Sequence, residues 1–195
     1  MLTTTRLVSC PNPKLSIHVA HLPERVEKLS ALLAVLKPQA EAWGNIEILM
    51  NSAPRGSITT GAKRNLMMAA SRGVYSCAID DDDMVSINYC ELLLQAFESN
   101  TDCVGMVGVL NNPGQPTWTF RHSITVKNWS KDKARRIYFR PPNHLNPIKT
   151  EICRRCPFPD ITIGEDRAFS DAVKMLTRSE VFIEDPIYFY TPGGK

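Results

Sequence analysis

No run of apolar residues in this 195-residue chain approaches the ~20 that a membrane-spanning helix needs. The first residues, Met1-Leu2-Thr3-Thr4-Thr5-Arg6, lack the apolar core of a signal peptide, so the expected location is the cytoplasm. Framework spacing is missing from the six cysteines, Cys10, Cys77, Cys90, Cys103, Cys153 and Cys156, and at least Cys77 and Cys103 fall in apolar stretches that read as buried strands. Reduced thiols are expected, not a disulfide scaffold. Cys153-Arg154-Arg155-Cys156 has the spacing of half a zinc site, but no second pair exists to complete it. Repeats and low-complexity segments are absent too. With 43% hydrophobic and 22% charged residues, the chain reads as one globular domain with a substantial core.

Against this background one segment stands out. Cys77-Ala78-Ile79 runs directly into Asp80-Asp81-Asp82-Asp83. Four adjacent carboxylates raise one another's pKa values unless cations or donors neutralise them, and hard oxygen ligands of this kind suit Mg²⁺ or Mn²⁺. The competing explanation is an exposed acidic turn that caps a helix starting near Ser86.

Strand and helix signals alternate through the first half in the order β-α-β-α-β-α-β, which predicts a largely parallel sheet with helices on its faces. Leu15–Ala20 reads as a strand. A helix follows, with Leu29, Leu32, Leu33 and Leu36 on one face and Pro38 at its end. Ile46–Met50 is the second strand, Asn51–Thr60 a loop, Ala62 to Arg72 a helix, and Tyr75–Ile79 the third strand. Helix Ile87–Glu98 and strand Cys103–Leu110 complete the alternation. Beyond it lie a turn at Asn111–Pro116, extended chain over Thr117–Val126 and a helix over Glu165–Leu176. The acidic run thus stands at a strand's carboxyl end, where open α/β sheets bind ligands.

Acidic residues are scarce between Arg121 and Arg155, where ten lysines and arginines face only Asp132 and Glu151, a local charge of +8. Trp118, Phe120, Trp129, Tyr138 and Phe139 are interleaved with them. This composition suits phosphate backbones and bases, and also describes a solvated loop over a few core aromatics. Over the whole chain the charge is +3 and the pI about 8.5.

Asp80–Asp83 at a strand end, preceded by Gly61-Ala62-Lys63-Arg64-Asn65 on a helix and followed by Gly164-Glu165-Asp166, resembles the nucleotide-sugar glycosyltransferases of the GT-A fold, especially family 2. The likeness spans most of the chain. His144-Leu145-Asn146-Pro147-Ile148-Lys149 is more loosely similar to small phage-encoded glycosyltransferases. The resemblance implies an α/β, Rossmann-like sheet with helices on both faces and a single domain over residues 1–195. Residues 1–110 would bind the nucleotide sugar, and 111–195 would hold the acceptor and the catalytic base.

By the same resemblance, Asp80 and Asp82 form a DxD-like pair, Asp80 toward the ribose and Asp82 on a Mn²⁺ or Mg²⁺ ion; Asp81 and Asp83 offer a second register. The metal would neutralise the departing diphosphate of a UDP-sugar or similar donor as a Lewis acid. Lys63 and Arg64 would contact the diphosphate or base. His21, Arg25 and Asn51 follow the first two strands, where the fold seats the nucleobase. Family members usually have a Thr-Tyr-Asn type sequence and an aspartate there, so Ala20-His21-Leu22-Pro23 and Asn51 put uridine specificity in question. Asp166 would be the catalytic base of an inverting transfer and Glu165 would orient the acceptor, since a helix start favours the carboxylate form. No histidine follows His144, which leaves His144 as a third metal ligand, an acceptor contact or a packing residue.

The acceptor is unspecified, with a hydroxylated base in DNA, acted on in a host cytoplasm, suggested by the basic segment and the phage likeness. Two other readings stand beside this one. A nucleotidyltransferase of similar architecture would carry a Gly-rich, Lys/Arg-containing loop where His21-Leu22-Pro23-Glu24-Arg25 stands. A nucleic-acid-binding module would use the basic segment and leave the acidic run structural.

Overall fold

The computed structural model describes residues 3–191. Its parallel core is the expected one: β2 (Leu15–His21) lies between β3 (Ile46–Ser52) and β4 (Tyr75–Asp80), and both neighbours run parallel to it. Both faces of these strands are covered, so that even their polar residues Ser16, His18, Glu47 and Ser76 are buried. On one face, α1 (Val26–Trp43) and α3 (Tyr89–Ala96) bury Leu29, Leu32, Leu36 and Leu93 with Tyr75 and Phe97, whose rings stack at 3.9 Å. On the other, α2 (Thr60–Ala70), α4 (Thr150–Arg154) and α5 (Glu165–Val173) enclose Met68, Ile148, Cys153, Phe158 and Phe169. All six cysteines are buried and unpaired.

Pro38 does not end the first helix. It sits inside α1, which continues to Trp43 and stops at Gly44 in the left-handed conformation, φ 67°. An internal proline costs about 3 kcal/mol, and burying Leu29, Leu32, Leu36 and Ala40 along the helix offsets that cost. The second and third helices begin and end within two residues of expectation, with the last turn of the third tightened into a 3-10 turn at Phe97–Ser99. The final helix stops at Val173, short of Leu176.

Among the described residues six strands, Thr4–Val8, Met84–Val85, Ser130–Asp132, Ile137–Arg140, Ile148–Lys149 and Glu180–Tyr190, escape sequence reading. Edge strand β1 (Thr4–Val8) pairs antiparallel with β3, and Arg6 reaches the buried Glu47, which also accepts from Ser16 and Arg72. The two-residue β5 (Met84–Val85) follows the acidic run directly. Beyond β6 (Cys103–Leu110), β7 (Trp118–His122) pairs with β9 (Ile137–Arg140), and β8 (Ser130–Asp132) forms the edge beyond β9. The short β10 (Ile148–Lys149) inserts antiparallel between β4 and β6. Finally β11 (Glu180–Tyr190) runs parallel to the whole of β6 and antiparallel to β5. Its Pro186 falls at a register shift, which is how a proline is tolerated inside this strand. β11 therefore ties the end of the chain to the acidic run, and the two halves share one sheet. Among the described residues no helix is long and apolar enough to cross a membrane.

Candidate active site

The four aspartates alternate in role. Asp81 is fully buried and accepts from His21 Nδ1 (2.9 Å), the Leu22 amide (2.8 Å) and Arg25 Nη1 (2.9 Å), which fastens the loop after β2 to the turn after β4. Asp83 is equally buried, accepting from Tyr188 Oη at 2.7 Å and the Thr191 amide at 2.8 Å. Burial, reinforced by the charge of Asp80, pushes its carboxyl up to about 8. Asp80 and Asp82 keep open faces, with side-chain exposures of 30% and 10%. The run does not cap a helix, because β5 intervenes and the N-cap of α3 is Asn88 without a side-chain cap.

Asp80 ends β4 and stands between two adjoining clefts. The first, about 390 Å³, is lined by Arg25, Arg55, Lys63, Arg64, Asp80, Asp81, Asp82 and Glu165, with Thr162 and Tyr190 at its edge. Four cations there balance four carboxylates. Arg64 is buried and bridges Asp80 Oδ1 (Nη2, 2.8 Å) and Glu165 Oε1 (Nη1, 3.0 Å), with its guanidinium 5.5 Å from the Phe158 ring. Burial would raise the Asp80 carboxyl, but the Arg64 charge holds it below the usual carboxylate range. Asp82 lies 3.0 Å from Arg25 and 4.0 Å from Lys28; burial and its acidic neighbours nonetheless push it up. Lys63, expected to meet an anion, is buried and donates to the carbonyls of His21 (2.8 Å) and Ala53 (3.0 Å). It ties together the loops after β2 and β3, and burial lowers its pKa.

The second cleft, about 460 Å³, shares Arg64, Asp80, Thr162, Glu165 and Tyr190 with the first and adds Phe120, Trp129, Tyr138, Arg140, His144, Ile163 and Asp166. His144 is buried, its Nε2 3.6 Å from Asp80 Oδ2, and neither ring nitrogen has a hydrogen-bond partner. Burial, with Arg64 nearby, lowers its pKa and keeps the ring neutral. Glu165 and Asp166 open α5 as expected, but they differ in setting. Glu165 is buried against Arg64, and burial pushes its carboxyl up, which reverses the effect expected from the helix start. Asp166 is half-buried on the cleft wall, with Oδ1 accepting the Arg167 amide at 2.8 Å.

The structure thus brings together Arg25, Lys63, Arg64, Asp80, Asp82, His144, Glu165 and Asp166. Asn51 is fully buried in β3 with neither side-chain atom hydrogen-bonded, and it lines neither cleft. His21 also lines neither, being spent on Asp81. Sequence reading missed Tyr188, Tyr190 and Thr162. The tyrosines belong to a strand whose aromatic, β-branched run is interrupted by Pro186, and Thr162 comes from the loop pinned where Gly61 N donates to Ile161 O at 3.0 Å.

Among the described residues no cluster of three or more His, Cys, Asp or Glu is preassembled around a metal position. The donor set nevertheless fits a hard divalent cation: two carboxylates with open faces, an orphaned imidazole beside one of them, and room for water and phosphate oxygens to complete the shell.

Residues 30–159 match the family described as Glycosyl transferase family 2. The fold is similar to S. aureus TarS 1-349 in complex with UDP-GlcNAc, with a TM-score of 0.67 and 13% identity over 93% of this chain. It is similar also to S. aureus TarS 1-349 in complex with UDP, with a TM-score of 0.66 and 13% identity over 91% of this chain. This chain spans 59% and 60% of those two chains. No curated protein matches the sequence. At this identity the likeness to TarS establishes the GT-A fold.

Proposed function

The chain belongs to glycosyl transferase family 2, and from that premise we propose that it moves a sugar from a nucleotide-diphosphate donor, a UDP-sugar, to an acceptor hydroxyl. The observation that carries this reading is the pair of clefts meeting at Asp80, one lined by cations and open aspartates, the other by Asp166 and an aromatic wall. The UDP and UDP-GlcNAc complexes of the structurally similar TarS support the choice of nucleotide.

In this reading residues 1–110 supply most of the donor cleft and residues 111–195 most of the acceptor cleft. Arg25 and Arg55 meet the diphosphate, while Lys63 and Asp81 hold the loops that frame the nucleoside. A Mn²⁺ or Mg²⁺ ion held by Asp80 and Asp82, with His144 as a further ligand, would supply Lewis-acid neutralisation of the leaving diphosphate. The balanced lining favours such an ion, since four cations against four carboxylates leave no surplus charge for a diphosphate. Arg64 fixes the relative position of Asp80 and Glu165 and so couples the two clefts. Asp166 takes the acceptor proton as the hydroxyl attacks the anomeric carbon opposite the diphosphate, and the configuration inverts. Glu165, pinned by Arg64, orients the site. The acceptor includes, as one candidate, a hydroxylated base in DNA, which the basic segment after Arg121 supports. The six unpaired thiols favour a reducing compartment, hence the cytoplasm, of a host cell if the gene is phage-borne.

A thermal-shift series with UDP-sugars tests the reading, because a ligand that binds only the folded state raises the apparent stability. Stabilisation by a UDP-sugar that grows when Mn²⁺ is added is the expected result. No stabilisation by any nucleotide sugar, with or without the ion, would remove the donor assignment.

A further inference from the structure

We propose that the second cleft contains a subsite for a phosphate ester, so that the acceptor carries a phosphate near the hydroxyl that reacts. The inference rests on assigning that cleft to the acceptor, and it names the acceptor's chemistry.

It starts from donors that have no partner within the described residues. Arg140, the last residue of β9, lies 4.6 Å from the Trp129 ring and 5.4 Å from the Tyr138 ring. Among the described residues its guanidinium makes no hydrogen bond and no ion pair. The arginines of the first cleft all do: Arg25 meets Asp81 and Asp82, Arg55 meets Glu24, and Arg64 meets Asp80 and Glu165. The Trp129 indole N–H, buried in the same wall, likewise has no partner.

Stacking occupies the faces of a guanidinium and leaves its N–H fork free in the plane, where it matches two oxygens of a phosphate. An indole N–H alongside can take a third oxygen, which a tetrahedral phosphate has and a carboxylate lacks. A half-buried cation without a counter-charge is also costly. Burial pushes the Arg140 pKa down, and Asp166, which acts in the other direction, is not in contact with it. A neutral sugar would leave that charge answered only by Asp166 at longer range; a phosphate ester would meet it directly.

The other basic residues do not extend this site into a track. Arg135 and Arg136 are exposed at the β8–β9 turn, with Arg136 at φ 57°. Arg167, whose guanidinium lies 6.0 Å from the same Trp129 ring, adds a second cation at this one position, so the geometry offers a single phosphate position beside Trp129. A sugar or polyol phosphate could supply it, and so could the phosphodiester beside a hydroxylated nucleoside.

The Trp129 indole N–H gives a direct readout. The ¹⁵N-labelled full chain has three tryptophans, and Trp129→Phe identifies the signal of interest. Titration with glycerol 3-phosphate should shift that signal saturably, glycerol should not, and the shift should persist with UDP in excess. Arg140→Gln should weaken the response at least about tenfold, and Arg140→Lys, which keeps the charge without the fork, by less. An unmoved Trp129 signal, an equal response in Arg140→Gln, or a response abolished by UDP would overturn the proposal. UDP binding, followed separately by calorimetry, reports on the donor reading alone, so its failure is distinguishable from loss of the phosphate subsite. Competition identifies the source of the phosphate. Displacement of glycerol 3-phosphate by a single-stranded oligonucleotide containing hydroxymethylcytosine points to nucleic acid, and no displacement to a small phosphate ester; either result supports the subsite.

Discussion

The two clefts share a wall but are built on opposite electrostatic plans. In the first, the arginines are matched to carboxylates within 3.3 Å and the buried lysine is matched to two carbonyls. In the second, Arg140, the Trp129 indole N–H and both nitrogens of His144 have no hydrogen-bond partner among the described residues. A matched lining holds its shape without ligand and costs little to reorganise. An unmatched one stores binding capacity for a group that brings the missing acceptors. The difference teaches that preorganisation lies in the first cleft and unmet binding capacity in the second, with Asp80 and Arg64 as the joint.

The sharpest way to separate the clefts is to disable chemistry without disturbing the donor. Asp166→Asn should lower turnover by roughly 10²–10⁴-fold while the donor dissociation constant stays within about twofold, because a general base acts mainly in the transition state. Steady-state kinetics beside equilibrium titration checks this, and near-normal turnover would remove Asp166 from the mechanism. Arg64→Gln attacks the joint itself. Leaving the buried Glu165 and the end of β4 without their counter-charge should cost about 3–5 kcal/mol of stability, read as a lower urea midpoint, and should impair both clefts together.

Acid should weaken the sheet beneath each cleft. His18 on β2 and His122 on β7 are buried and neutral, and burial lowers each from its ordinary value of 6.5 to about 3. The unfolded chain takes up these protons first, so their contribution is complete above about pH 6.5 and is lost as the pH falls toward about 3. At pH 4.5 each should have cost about 2–3 kcal/mol relative to pH 7. Urea denaturation at the two pH values measures the loss, and His122→Phe should remove its own share of it. The smallest effect concerns the lip shared by the clefts. A methyl group at Gly61 would lie 1.9 Å from the Pro159 carbonyl oxygen. Gly61→Ala should therefore shift the loop that carries Thr162 and cost about 1–3 kcal/mol, seen as a lower melting temperature with altered affinity on both sides.

The first half of the chain was legible in the sequence and the second half much less so. Leu15–His21, Ile46–Ser52 and Tyr75–Asp80 advertise themselves as short segments rich in apolar and β-branched residues, spaced between helix signals. That local signal placed Asp80 at a strand end. The alternation within the acidic run was not visible, because it depends on His21, Arg25, Tyr188 and Thr191 arriving from distant segments to occupy Asp81 and Asp83. β11 was obscured by Glu184-Asp185-Pro186, which reads as a turn but is carried by register shifts against β6. Asn51 misled for a related reason: its place after a strand is the expected one, yet β3 extends to Ser52 and buries it. Composition also pooled Arg135, Arg136 and Arg140 into one basic segment, where the fold exposes two and turns the third into a cleft.

The most direct measurement is calorimetric titration of a UDP-sugar into the wild-type chain, Asp82→Asn and Asp83→Asn, each with and without Mn²⁺. Wild type should bind more tightly with the ion, Asp82→Asn should lose that gain while keeping its fold, and Asp83→Asn should retain most of it, since Asp83 is occupied by Tyr188 and Thr191. An undiminished Mn²⁺ effect in Asp82→Asn, or its loss in Asp83→Asn alone, would contradict the assignment of Asp80 and Asp82 as the open pair of the donor cleft.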